Sequence, residues 1–147
     1  MAGSDGIEVE MWVVEDIPSS DLLFLRIKHC HVDRGEPLPA AFRNHGSGDD
    51  LGMSTDWERY STAEETRNRA TEPTLYGVIS MRVGDARDVP GQTVVHSPIW
   101  PENRAHTNVV GPKSRKEARD VGLSSVEIRL RFAQISEWRI PVIEDGD

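Results

Sequence analysis

Asp21-Leu22-Leu23-Phe24-Leu25-Arg26-Ile27-Lys28-His29-Cys30-His31-Val32 is the stretch on which the fold turns. In an extended chain successive side chains point to opposite faces, so Leu23, Leu25 and Ile27 form one apolar face. Phe24, Arg26, Lys28 and Cys30 form the other. The segment therefore predicts a strand with one side committed to a core. Upstream, Ile7, Val9, Met11 and Val13 alternate with Glu8, Glu10, Trp12 and Val14, which predicts a second strand ended by Ile17 and Pro18. The two would pair as a hairpin across Pro18, Ser19 and Ser20.

Downstream, 33–52 holds Gly35, Pro37, Pro39, Gly46, Gly48 and Gly52, too many breakers for regular structure beyond a helical turn at Pro39 to Phe42. A loop of this length is weak evidence for a site at its edges. Thr55 with Glu58, and Ser61 with Glu64, have capping-box spacing and predict two short helices, the second running to about Ala70 before Pro73. Leu75 to Val83, Thr93 to Ile99 and Ala105 to Val110 read as strands, the last two separated by the turn Pro101, Glu102, Asn103. Ser114 to Val121 predicts a helix capped by Gly122. Val126, Ile128, Leu130 and Phe132 alternate with Glu127, Arg129 and Arg131 and predict a further strand, and Trp138 to Ile143 predicts an edge strand that tolerates Pro141. The expected fold class is α+β, a mainly antiparallel sheet of about six or seven strands with two or three short helices packed on one face. Residues 1–143 are expected to form a single domain with an irregular Gly/Pro-rich loop at 33–52, and 144–147 a frayed acidic tail.

Composition narrows the function. At 147 residues and 37% hydrophobic, the chain can bury a core without disulfide or metal staples, and its lone cysteine, Cys30, cannot form an internal bridge. No apolar run is long enough to cross a membrane and no secretory signal is visible, so a cytoplasmic location is expected. A net charge of −8 argues against non-specific nucleic-acid binding. The charge is uneven, because 101–140 carries eight basic and five acidic residues. Lys113, Arg115, Lys116 and Arg119, with Arg129 and Arg131, form either a solvated basic face or a patch for an acidic partner.

Three clusters suggest chemistry. On a strand, His29, His31 and Asp33 would share a face, and two imidazoles with a carboxylate at that spacing can supply three ligands to a divalent metal. His96 or His106 could complete the shell. The His-x-His-x-Asp pattern resembles the opening of the metallo-β-lactamase metal motif, although Arg34 and Gly35 stand where that motif continues with further ligands. Second, His96 and His106 flank a tight turn and could face each other as acid and base in phosphodiester chemistry, with Arg104 or Lys113 holding the anion. Third, Ser54, Asp56, Trp57 and Tyr60, taken with Arg26, are similar to the pocket of ADP-ribosylating folds. In those folds an Arg or His, a Ser or Tyr and a later Glu grip a nicotinamide dinucleotide. That likeness implies dinucleotide contacts at Arg26, Ser54 and Tyr60 and a glutamate at Glu127 or Glu137.

Walker, GxGxxG, GxSxG, HExxH and CxxC patterns are absent, which removes the usual nucleotide-binding, hydrolase-elbow and zinc-ribbon readings. Two functional expectations follow. One is an accessory protein that binds a protein partner through Trp57, Trp100 and Trp138 with Lys113, Arg115 and Lys116, and that pairs into a homodimer through exposed strand edges. The other is a small enzyme, histidine- or metal-dependent on a phosphoester, or a dinucleotide-using transferase.

Overall fold

The computed structural model describes residues 12–143. Strands β1 (Leu22–Lys28), β4 (Met53–Trp57), β5 (Tyr76–Arg82), β6 (Thr93–His96), β7 (His106–Val110) and β8 (Glu137–Ile140) form one sheet in the order β6-β7-β4-β1-β5-β8. Every neighbouring pair is antiparallel. Two short strands, β2 (Val32–Asp33) and β3 (Glu36–Pro37), make a separate ribbon, and the helices are α1 (Ala63–Asn68), α2 (Val83–Asp88), α3 (Arg115–Asp120) and α4 (Ser125–Gln134). The α+β class and its antiparallel sheet are as the sequence predicts. Among the described residues no helix is long and apolar enough to cross a membrane.

β1 pairs along its whole length with β5, from Leu22 opposite Arg82 to Lys28 opposite Tyr76. Its predicted alternation holds, and Leu23, Leu25 and Ile27 enter a core with Met53, Trp57, Ile79, Met81 and Val109. Helices α2, α3 and α4 cover that face through Val83, Ala86, Ala118, Ile128 and Phe132, and Phe42 stacks on Phe132 at 5.7 Å between ring centres. Helix α1 lies on the opposite face, where Arg26 donates to the Thr66 carbonyl at 2.8 Å.

Several predicted elements take another form. The strand expected at Ile7 to Val14 lies largely outside the described residues, and 12–14 join no strand. The strand read from Asp21 to Val32 stops at Lys28, because His29–His31 closes into a 3-10 turn. The capping box read at Thr55 and Glu58 does not form, since Thr55 lies in β4 and Glu58 in the turn after it: the Thr55 hydroxyl donates across the sheet to the Thr107 carbonyl at 2.9 Å, and the Glu58 carboxylate accepts from the Leu22 amide at 2.7 Å. The next box is shifted by one residue, with Thr62 and Glu65 exchanging both bonds at the start of α1. The strand predicted around Val126 to Phe132 is helix α4. Ser124 accepts from the Glu127 amide, Ile128 and Phe132 are buried one turn apart, and Val126 and Leu130 remain 75% and 52% exposed. A strand would have buried all four, whereas the helical period buries only the i, i+4 pair. Helix α2 was not foreseen. Within 33–52, the turn Arg34-Gly35 has positive φ at both residues, 54° and 79°, as a two-residue hairpin with the strand twist requires.

Lys113, expected on a basic surface, is fully buried instead. Its Nζ donates to Asn44 Oδ1 (2.7 Å) and to the carbonyls of Val109 (2.8 Å) and Gly111 (3.1 Å), which uses all three ammonium protons. Burial drives its pKa down to about 7, with Glu117 opposing the shift. Burial would raise the Glu117 carboxyl, but amides of Ser114 and Lys113 and the side chains of Asn44 and Ser114 outweigh it and hold it at about 2. The cluster joins α3 to the 33–52 segment.

Both shifts are downward, so each makes stability rise with pH through its own window. Between about 7 and 10.5 the unfolded chain holds a proton on Lys113 that the folded one releases, so this residue makes stability rise with pH over that window. Stability contributed by Glu117 is present above 4.5 and is lost as pH falls toward 2. Denaturant midpoints measured across pH should show Lys113→Met losing part of the alkaline gain and Glu117→Gln losing part of the acid-side slope. Wild-type slopes in both variants would refute the assignment.

Candidate functional site

The face of the sheet opposite the core carries Phe24, Arg26 and Lys28 of β1, Ser54 and Asp56 of β4 and His106 of β7. With α1, the 33–52 segment and the β6–β7 turn, they enclose a cavity of about 520 Å³. That volume lies within the range of small-molecule sites. Its walls hold Arg26, Lys28, Arg43 and Arg69 and three histidines, His31, His45 and His106, against one carboxylate, Asp56.

Asp56 is already neutralised. It is 4% exposed, and its Oδ2 accepts from Arg69 Nη1 at 2.6 Å and from the Thr66 hydroxyl at 2.8 Å, while Oδ1 accepts from Asn103 Nδ2 at 2.9 Å. Arg69 is thereby committed, and it also donates to Ser61 at 2.9 Å. Lys28 and Arg43 are exposed and enter no ion pair among the described residues. Arg26, beyond its bond to α1, lies 6.0 Å from the centre of the Tyr76 ring. The cavity thus keeps a positive surplus. His31 registers it: burial first, then the charges of Arg43 and Lys28, lower its pKa and favour the neutral ring.

At the other end, Ser54 Oγ lies 3.2 Å from His106 Nε2, and His106 Nδ1 lies 2.8 Å from the Ser97 carbonyl. A carbonyl only accepts, so Nδ1 is the donor there. In the neutral ring, Nε2 is then the acceptor that faces the serine hydroxyl. The register explains the meeting: β4 and β7 pair Ser54 with Asn108 and Asp56 with His106, which sets Ser54 diagonally beside the imidazole.

The predicted clusters are redistributed. His31 lines the cavity, whereas His29 and Asp33 do not, because the 3-10 turn breaks the shared strand face. Among the described residues no group of three or more His, Cys, Asp or Glu is placed to hold a metal ion, and His29, His31 and Asp33 do not form such a group. His96 and His106 do not face each other: His96 pairs with Thr107, so the two rings project from opposite faces. His96 is buried with both nitrogens occupied, Nδ1 by the Glu15 amide at 3.0 Å and Nε2 by the Arg104 carbonyl at 2.8 Å. Arg104 stacks 4.2 Å above the Tyr60 ring, beside Glu15, outside the cavity. Arg26 and Ser54 do line the same cavity, but Tyr60 donates to Glu15 instead. Glu127 and Glu137 are exposed and are not among the lining residues.

The surface set divides too. Trp57 is buried in the core with its indole N–H on Asp21 at 2.9 Å, and Trp138 donates to the Gly35 carbonyl at 2.8 Å. Trp100 is 51% exposed, and Arg115 and Lys116 are exposed on α3. Lys28, Arg43, His45, Arg69, Tyr76 and Asn103 escaped the sequence reading as site residues. The usable signals were Lys28 two positions beyond Arg26, and the expectation of a site at the edge of the 33–52 loop, which supplies Arg43 and His45. No family model matches the chain, and neither a curated protein nor a solved structure matches it.

A bound anion would stabilise the imidazolium of His31 and reverse part of the repulsion from Arg43 and Lys28. NMR titration of the His31 ring should therefore give a higher pKa with saturating pyrophosphate than without it. An unchanged His31 titration, with pyrophosphate bound, would place the anion elsewhere.

Proposed function

We propose that the protein binds a small phosphate-bearing ligand in the cavity between α1, the 33–52 segment and the open sheet face. One observation carries the reading: a cavity with four Arg or Lys side chains and three histidines has a single carboxylate, and that carboxylate is spent on Arg69. Guanidinium groups match the oxygens of phosphate with paired donors, and the His31 ring, held toward its neutral form, adds a donor without further repulsion. The chain as a whole carries −8, so a long polyanion is repelled while a small anion is drawn to the local positive field. A cytoplasmic location accords with this reading, since Cys30 is an exposed free thiol.

A second reading is a protein partner, with a second copy of the chain as its simplest form. The feature that favours it is the edge-to-face contact of Trp12 and Trp100 at 4.6 Å, beside exposed Val13, Val14 and Ile99. Apolar side chains gathered at one exposed place mark interaction surfaces more often than chance exposure does.

Calorimetric titration with inorganic pyrophosphate tests the first reading. Binding should weaken about tenfold in Arg43→Ala and in Lys28→Ala, the usual loss for one charge-assisted hydrogen bond. Absence of binding in the wild type, or equal affinity in both variants, would reject it. For the second, sedimentation equilibrium should show self-association that Trp100→Ser removes, and a monomer at all concentrations rejects the two-copy form.

A further inference from the structure

We propose that Ser54 and His106 form a nucleophile and general-base pair that cleaves a small phosphodiester held in the basic cavity. The inference rests on the reading of that cavity as a phosphate site and adds chemistry to it. Three observations support it. The serine is exposed and lines the cavity from β4, where the antiparallel ladder to β7 fixes it opposite Asn108. The imidazole is oriented twice over by Ser97: its Nδ1 donates to the Ser97 carbonyl at 2.8 Å, and the Ser97 amide donates to the His106 carbonyl at 2.9 Å. The nitrogen left to accept is Nε2, 3.2 Å from Ser54 Oγ, within the looser range of such pairs before substrate binds. A nucleophile, a base and a third group that orients the base are thus aligned, the carbonyl standing where other pairs use a carboxylate.

The reaction balances without a further reactant except water. Ser54 Oγ attacks phosphorus as its proton passes to His106 Nε2. The bond from phosphorus to the departing alcohol oxygen breaks, and that oxygen takes the proton from His106. Water then attacks the phosphoserine diester while Nε2 accepts its proton, the bond from phosphorus to Oγ breaks, and the proton returns to Oγ. One diester and one water become one monoester and one alcohol. Arg26 and Arg43, which line the same cavity, would hold the non-bridging oxygens as charge shifts onto them.

Bis(4-nitrophenyl) phosphate is the probe, with pyrophosphate titration run in parallel on each protein. Wild type should release nitrophenolate, with turnover falling at least about 100-fold in Ser54→Ala and in His106→Gln. Pyrophosphate affinity in both variants should stay within a factor of about three, because neither side chain carries the anion's charge. Peptide mass analysis of acid-quenched wild type should locate a nitrophenyl phosphate adduct on Ser54. A wild type that binds pyrophosphate but neither turns over nor acquires the adduct overturns the catalytic pair and leaves the binding reading in place. Ser54→Ala with wild-type turnover overturns it as well. Failure of wild type to bind pyrophosphate sinks the binding reading, and the catalytic inference with it.

Discussion

Asp56 ties together the parts of the molecule that would otherwise be independent. Its two oxygens take hydrogen bonds from α1 through Thr66, from the residue just beyond α1 through Arg69, and from the β6–β7 turn through Asn103. A carboxylate removed from water is costly unless its lone pairs are occupied and its charge is matched, and here both conditions are met. Taking away one partner of such a pair typically costs about 3 to 5 kcal/mol, because the other is left buried and uncompensated. The cavity exists because α1 and the turn are both held to the same strand at this residue. Asp56 also consumes Arg69, so the charge available to a ligand comes from Arg26, Lys28 and Arg43.

The central strand serves two environments at once. Leu23, Leu25 and Ile27 meet the helices, while Arg26 and Lys28, one residue out of phase, reach the opposite face. A slip of one residue in its pairing with β5 would exchange these sets and place cations in the core. Register is therefore shared between stability and site. The same dependence governs the serine and histidine, since only the pairing of Asp56 with His106 puts Ser54 beside that imidazole.

What the sequence reveals follows from how local each signal is. The alternation of β1 and the β-branched run of β5 are legible because their periods are complete within one element. Around Val126 to Phe132 the apolar spacing suits either period, and the cap at Ser124 with Glu127 is the local signal that favours helix. At Thr55 and Glu58 the error has the opposite sense: the side chains have capping chemistry, but their partners, the Thr107 carbonyl and the Leu22 amide, are distant in sequence. Long-range partners also hide the site. His31 near Arg43, and Ser54 near His106, come together only through the turn after Lys28 and the ladder between β4 and β7, neither of which spacing alone announces.

The placement of positive charge argues about what such a cavity admits. Arg115, Lys116 and Arg119, the densest basic run in the sequence, sit on α3, whose Ala118 packs into the core face. Lys116 is paired with Asp120 at 3.1 Å, and such exposed pairs are screened by salt. The cavity's cations lie on the other face, drawn from β1, the 33–52 segment and the end of α1. They are separated in sequence yet share one concave space, where low-dielectric walls strengthen their combined field. Density of charge along the chain is thus a poor guide here, and convergence in space is the better one. A ligand that profits from convergence must be compact enough to meet several cations at once, which a phosphate group is and an extended acidic segment is not.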